Sequence, residues 1–453
     1  MMRKYFGTDG IRGRANASPI TAEMAVRLGQ ATGQIFKESG LMRPSVVIGK
    51  DTRISGYMLE SALQAGFTSV GFYCLLVGPM PTPAVAQLTR SLRANVGVMI
   101  SASHNPYEDN GIKLFSGDGF KLPDDLERRI EELMDNPEKI QLADAASIGK
   151  AVRIDDASGR YIAACKASIP RDFKLDGKRI VVDCAHGAAY KIAPKIFWEM
   201  GAEVIRIGSD PDGTNINEKC GSTDIAAMQA AVKEYGADLG IALDGDSDRA
   251  ILCDENGNEI DGDQIMAAIA LHMKEKKILK GGAIAATQMS NMGLANFLEE
   301  NGIGLTRTPV GDRYVTEAMR ANGLNFGGEQ SGHLVFMDHG TTGDGIVAAL
   351  QFLYVMSDRN VKASTLGQSF TKYPQVLRNV RLQGSLSADQ VLDRGAVKAV
   401  IEESQTQLGT TGRVFIRKSG TEPLIRVMVE AVDPAHVTAY SERIAKTIEA
   451  NMS

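Results

Sequence analysis

The stretch that decides the fold is "RIVVDC" (179–184) followed by "IAPKIFWEMGAEVIRI" (192–207). A β-branched run of strand length leads into apolar residues at helical spacing. Gly201 then falls where a helix end adopts the left-handed conformation, and a second alternating run follows. This is a β-α-β unit. Working outward, the same pattern recurs in "SVVIG" (45–49) with "LESALQAGFTSVGFY" (59–73), where the helix is expected to end near Gly66. It recurs again in "GGAIAAT" (281–287) with "GLANFLEENGIGLTRT" (293–308), turning near Gly302, although this first strand has the weaker pattern. Three successive units predict three α/β domains with buried sheets.

Beyond about residue 368 the texture changes. "VLRNVRLQG" (376–384), "RVFIRKSG" (413–420) and "PLIRVMVEA" (423–431) read as strands, while 393–408 and 433–453 read as helices. That is a small α+β domain. Soft boundaries at 143–160, 254–262 and 357–367 divide the chain into 1–155, 156–256, 257–368 and 369–453.

Composition narrows the function. A length of 453 residues exceeds one core, and 43% hydrophobic with 23% charged residues is ordinary for a soluble globular chain. A net charge of −5 without a Lys/Arg block argues against nucleic acid as a partner. No window approaches the apolar length of a membrane span, and the start lacks an apolar signal region, so neither membrane nor export is expected. Cys74, Cys165, Cys184, Cys220 and Cys253 are dispersed without C-x-x-C spacing, which reads as reduced thiols in a cytoplasmic protein.

The strongest chemical signal is "LGIALDGDSDRAILCDENG" (239–257). Asp244, Asp246 and Asp248 alternate after an apolar run, so in an extended or gently turning segment they point the same way. Three converging carboxylates repel one another unless a cation sits among them, and hard oxygen ligands suit Mg²⁺ or Ca²⁺. An EF-hand loop fails because Arg249 stands where glycine is required and the flanks are β-like. The bland alternative is an acidic surface turn; Mg²⁺ with open positions for a phosphate oxygen is the better reading.

Three further loops follow strands. In "RVFIRKSGTEPLIRVMVE" (413–430), Arg417, Ser419, Gly420, Thr421 and Arg426 offer backbone N–H groups, hydroxyls and guanidinium groups, which make a phosphate cradle or else a basic hairpin tip. In "NFGGEQSGHLVF" (325–336), Glu329, Ser331 and His333 alternate on one side and suit vicinal sugar hydroxyls, or else form a plain polar hairpin. In "VMISASHNPYEDNGIKLFS" (98–116), Ser103 precedes His104, Asn105 and Pro106. Alone these are turn formers. Beside a cation site, a phosphate site and a polyol site, Ser103 becomes a candidate nucleophile, and a phosphorylated Ser103 neutralised by Mg²⁺ becomes a phosphoryl donor.

With these residues in hand the chain resembles the α-D-phosphohexomutase superfamily over essentially its whole length. "SASHNP" resembles the active-serine loop, "DGDSDR" the metal loop, "GGEQSGH" the sugar loop, and "RKSGTEP" with Arg426 the loop for the non-reacting phosphate. The resemblance implies three related α/β sandwich domains with mixed sheets, plus a smaller α+β C-terminal domain, around a central cleft. It places phosphoserine at Ser103. It also implies one Mg²⁺ per subunit, held by Asp244, Asp246, Asp248 and the Ser103 phosphate. "FGTDGIRG" and Gln330 resemble the branch acting on glucosamine phosphates. The implied reaction interconverts glucosamine 6-phosphate and glucosamine 1-phosphate, for UDP-N-acetylglucosamine synthesis. Its intermediate is a 1,6-bisphosphate, and glucose or glucosamine 1,6-bisphosphate is the implied activator.

Charge balance adds Arg249 and Arg12, with Lys113, as cations near the site. The acid/base is open between Lys113 and His104, and a lysine base would need a depressed pKa. The partner is a small phosphosugar, and a homodimer stays open. The rivals are a sibling mutase for glucose or mannose phosphates, a non-catalytic phosphosugar sensor on the same fold, and a phosphatase. A decayed enzyme would be expected to lose Ser103 or an aspartate, and all are present.

Overall fold

The computed structural model describes residues 4–7, 9–37, 44–382, 386–418 and 424–452. The chain divides into two compact units, one of residues 1–287 with 303–369 and one of residues 288–302 with 370–453.

The first unit contains three sheets among the described residues. In one, strands Tyr73–Pro79, Ser45–Lys50, Val96–Ile100 and Asp109–Ser116 lie side by side in that order. In the next the order is Glu203–Ile207, Arg179–Asp183, Leu239–Leu243 and Ala250–Asp254; in the last it is Gly304–Thr308, Ala283–Thr287, Phe326–Gly328 and Leu334–Phe336. Each set has the same logic. Three strands run parallel and the fourth, last in the chain, returns antiparallel. The first strand in sequence lies between the second and third every time, so the expected repeat is a repeat of topology as well as of pattern.

The parallel strands read as continuous apolar runs because helices cover both faces. Val46, Val47, Ile48, Ile180, Val181 and Val182 are all fully buried. The first sheet is extended by Ala151–Arg153 at one edge and by the hairpin Phe6–Gly7 and Gly10–Arg14 at the other. Glu259–Ile260 extends the second.

One helix end differs from expectation. The helix Ser55–Ser69 runs through Gly66, and the left-handed turn residue is Gly71 instead, at φ +94°. Gly66 serves packing. A Cβ there would lie 2.3 Å from the carbonyl oxygen of Val26 on helix Ala22–Lys37. Gly201 and Gly302 do take positive φ after helices Ile192–Glu199 and Met292–Glu300.

The second unit holds the antiparallel sheet Gln375–Arg381, Leu424–Ala431 and Gly412–Lys418, with helices Gly395–Leu408 and Pro434–Ala450. Helix Met292–Glu300 belongs to this unit, although sequence pattern groups it with the third β-α-β run. A buried charge explains the attachment. Glu430, fully buried, accepts from the backbone N–H of Met292 at 2.8 Å and from Arg413 at 2.6 Å, while Arg413 also donates to the carbonyls of Gln288 and Ser290. A buried carboxylate is retained when it is paired and hydrogen-bonded in this way. All five cysteines are buried free thiols, and no described helix is long and apolar enough to cross a membrane.

Candidate active site

Three of the four singled-out loops occupy one equivalent position. Ser103 follows Val96–Ile100, the three aspartates follow Leu239–Leu243, and Glu329 follows Phe326–Gly328. Each is the turn from the third parallel strand to its antiparallel partner. Carboxyl ends of parallel strands are where α/β sheets present ligand-binding loops, so one architectural device is used three times.

Ser103 sits in the left-handed region at φ +53° and is 1% exposed. A non-glycine residue held there marks a conformation that its surroundings impose. The result is contact: Ser103 Oγ donates to Asp244 Oδ2 at 2.5 Å and lies 3.2 Å from His104 Nδ1. Burial, with the positive charges of Arg249 and Arg12, pushes the His104 ring down to about 4, so it is neutral near pH 7. The backbone of "DGDSDR" packs on the serine loop, since a Cβ on Gly245 would fall 2.6 Å from the Ser103 carbonyl oxygen.

Asp244, Asp246 and Asp248 each present a carboxylate oxygen within 4.8 Å of the others, all buried. Their convergence comes from a tight turn with Ser247 at φ +59°. The site fits a hard cation. Asp246 Oδ2 accepts from Thr82 at 2.6 Å and from Lys113 at 2.8 Å, while its Oδ1 is buried without a hydrogen-bond partner. An orphaned carboxylate oxygen in a triad of carboxylates matches what an oxygen-seeking divalent ion takes up. Burial and the neighbouring Asp248 and Asp246 push Asp244 well above the carboxylate range. Burial acts on Asp248 too, but Lys113 and His333 outweigh it and hold that carboxyl well below.

Lys113, on strand Asp109–Ser116, reaches Asp246 at 2.8 Å, Asp248 at 3.1 Å and Asp9 at 3.3 Å. Burial opposes its charge, yet these carboxylates raise its pKa well above the ordinary value. With these carboxylates bare the charged form of Lys113 is favoured, the opposite direction from the depressed pKa that a lysine base requires. Arg12 pairs with Asp9, and Arg249 lies 3.8 Å from Asp248 while its backbone N–H donates to Asp244 at 3.2 Å.

The residues of "GGEQSGH" separate. Glu329 Oε1 accepts from the Gly311 N–H at 3.1 Å, and exposed Ser331 stands 3.5 Å from Glu329 Oε2. His333 does not share that side. The turn closes with Gly332 at φ +87°, which breaks the alternation expected of an extended segment, and His333 is buried 3.4 Å from Asp248 and 3.5 Å from Asp312. Burial disfavours its charge, but these carboxylates with Glu329 draw it up to about 9. The Gly343 N–H also lies 3.1 Å from Nε2.

In the second unit, Arg417 stands directly across from Arg426 on neighbouring strands, so both side chains arise at one end of the hairpin. Ser419, Gly420 and Thr421 lie outside the described residues.

The structure adds groups that motif reading passed over. Asp9 joins Lys113, Arg12 and Lys121; Lys121 also pairs with Asp312; Thr82 orients Asp246. Asp51, Arg53 and Asn217 surround the serine loop. Asp9 lies within "FGTDGIRG" and the others outside the quoted motifs, and they converge only in the folded chain.

Four family descriptions cover the chain in order. Phosphoglucomutase/phosphomannomutase alpha/beta/alpha domain I matches residues 3–141, domain II 159–257, domain III 261–373, and the C-terminal domain 377–447. The chain belongs to this phosphohexomutase family. Within it, the chain is 57% identical to the phosphoglucosamine mutase of Zymomonas mobilis over 448 residues, covering 99% of each. It is 55% identical to that of Cereibacter sphaeroides over 449 residues, again covering 99% of each. Among solved structures, a phosphoglucomutase/phosphomannomutase family protein from Burkholderia thailandensis superimposes with a TM-score of 0.81 at 22% identity, covering 99% of this chain and 98% of the other. The N-acetylphosphoglucosamine mutase of Aspergillus fumigatus, solved with GlcNAc-6P and magnesium, gives 0.69 at 17%, covering 100% and 96%. These two likenesses concern the fold.

Proposed function

We propose that this chain is a mutase that interconverts glucosamine 6-phosphate and glucosamine 1-phosphate, for UDP-N-acetylglucosamine synthesis in the cytoplasm. The observation carrying the proposal is the 2.5 Å contact of Ser103 Oγ with Asp244, inside a buried aspartate triad that fits a cation. Phosphorylated Ser103 gives its phosphoryl group to the sugar's free hydroxyl: the P–Oγ bond breaks, a P–O bond to the sugar forms, and the hydroxyl proton leaves to a base. The resulting glucosamine 1,6-bisphosphate turns over, and Ser103 takes back the other phosphate. Glucose or glucosamine 1,6-bisphosphate loads the serine initially.

Mg²⁺, one per subunit, is the cation that Asp244, Asp246 and Asp248 would hold with the Ser103 phosphate, and it would neutralise charge on the transferring group. Lys113, Arg12 and Arg249 balance the remaining negative charge. His104 is the neutral base candidate that stands nearest Ser103 Oγ. Glu329 and Ser331 hold sugar hydroxyls between the reacting ends, and His333 fixes the loop that carries them. Arg417, Ser419, Gly420, Thr421 and Arg426 hold the idle phosphate. The division into 1–155, 156–256, 257–368 and 369–453 then gives one such loop to each domain.

Parallel kinetics on glucosamine, glucose and mannose 6-phosphates test the substrate. The expected result is a kcat/KM for glucosamine 6-phosphate at least about tenfold above the others, since a polar group matched to its site is worth roughly 1.5 kcal/mol or more. A preference for glucose or mannose phosphate would reassign the chain to a sibling activity.

A further inference from the structure

Ser103 is held by both of its backbone polar groups through one closed circuit. Its N–H donates to Ser101 Oγ at 2.9 Å, and Ser101 Oγ–H donates to Asp51 Oδ2 at 2.6 Å. Asp51 is ion-paired with Arg53 Nε at 3.1 Å, and Arg53 Nη2 returns to the Ser103 carbonyl at 2.9 Å. The same Nη2 reaches the Asn105 carbonyl at 2.8 Å. From the other side of the loop Asn217 Nδ2 donates to those same two carbonyls, at 2.9 and 3.0 Å.

The members of this circuit are costly to maintain unless position matters. Arg53 is 0% exposed, and a buried guanidinium is tolerated only when it is paired and hydrogen-bonded. Asn217 is itself left-handed at φ +59°, as is Ser103 at +53°. The segment carrying Asp51 and Arg53 is tied in turn to the second β-α-β unit, by Thr52 Oγ1 to the His186 carbonyl at 2.5 Å and by the Ile54 N–H to the Gly213 carbonyl at 2.9 Å. His186 and its neighbour Ala185 are left-handed too, and Ala185 accepts the Asn217 N–H at 2.9 Å. Strained, non-glycine conformations thus gather around one serine, which is the pattern of pre-organisation.

We propose that Asp51, Arg53 and Asn217 are positioning residues that clamp Ser103 in its left-handed conformation, so that Oγ faces Asp244 and its phosphoryl group stands in line for transfer. This rests on the reading of Ser103 as the phosphoryl carrier. None of the three is assigned contact with the sugar. Their loss acts on the chemical step and leaves substrate affinity in place, because the gain from fixed reactant geometry is lost while the binding groups remain.

Arg53→Lys keeps the charge but cannot span Asp51 and two carbonyls with a planar fork. Asn217→Gly removes the donor and accepts the left-handed backbone without strain. The experiment follows phosphorylation of Ser103 by glucose 1,6-bisphosphate over time by intact mass, together with kcat and KM for glucosamine 6-phosphate. Mg²⁺ binding by calorimetry and thermal melting accompany it. Arg53→Lys should slow both phosphorylation and kcat by about 100-fold, the scale of an ångström-sized misplacement. Asn217→Gly should slow both by about tenfold, the equivalent of roughly one hydrogen bond. KM and Mg²⁺ affinity should match wild type in both. Phosphorylation rates equal to wild type in a folded variant would overturn the clamp, as would parallel losses in KM, Mg²⁺ affinity and melting temperature, which mark general damage. If Arg53→Lys does not fold, Asn217→Gly decides alone. A wild-type protein that takes no phosphate on Ser103 would overturn the carrier reading and the clamp with it, whereas a phosphorylated wild type with unaffected variants would overturn the clamp only.

Discussion

Ser103→Ala is expected to lower mutase turnover by more than about 10⁴-fold, the scale on which removal of a covalent nucleophile acts. The hydroxyl proposed to carry the phosphoryl group is gone, and with it the 2.5 Å contact with Asp244. Folding should survive. Only one oxygen is lost, the loop stays held through the Ser103 backbone, and the melting temperature should move by no more than ~4 °C. Coupled spectrophotometric turnover and a thermal melt check both parts. Near wild-type turnover, without phosphate on another residue, would remove the covalent step from the account.

Asp246→Asn is expected to have the second largest effect. Asp246 uses one oxygen for Thr82 and Lys113 and keeps the other buried without a hydrogen-bond partner, so it has a ready ligand atom. Replacing a charged oxygen donor with an amide should weaken Mg²⁺ binding at least tenfold and cut kcat roughly 100-fold at fixed Mg²⁺, with partial recovery as Mg²⁺ is raised. Calorimetry gives the first number and a Mg²⁺ titration of the rate the second. Unchanged values in both would make "DGDSDR" an acidic turn and nothing more.

The fold was legible where one signal dominated locally. Buried parallel strands such as Val46–Ile48 read as unbroken apolar runs, and Gly201 and Gly302 marked true turns. Gly66 misled because glycine serves two needs. Sequence shows a missing Cβ but not whether the freed space admits a left-handed turn or, as here, the Val26 carbonyl of a neighbouring helix. The chemical loops were legible because Ser103 and the aspartates are unusual residues at strand ends. Alternation breaks within "GEQSGH", where a tight turn sends His333 inward while Ser331 stays outside. The supporting groups were illegible for a different reason. Asp9, Lys121 and Asp312 meet across more than one hundred residues of chain, as Asn217 does with Ser103, and Arg53 reaches Ser103 across 50. No local pattern encodes a meeting set by tertiary packing. The shared position of three loops, each turning from a parallel to an antiparallel strand, likewise became visible only with the sheet order.

The central claim is that Ser103 carries the phosphoryl group between two positions of one sugar. The most direct test loads the protein with glucose 1,6-bisphosphate labelled with ³²P in both phosphates, removes excess ligand, and locates the label by peptide mapping. The labelled protein is then mixed with unlabelled glucosamine 6-phosphate. The account predicts label on the peptide bearing Ser103 alone, and its departure into glucosamine 1,6-bisphosphate and glucosamine monophosphates at a rate no slower than turnover. Label on another residue, or label on Ser103 that stays there while the enzyme turns over, would contradict it.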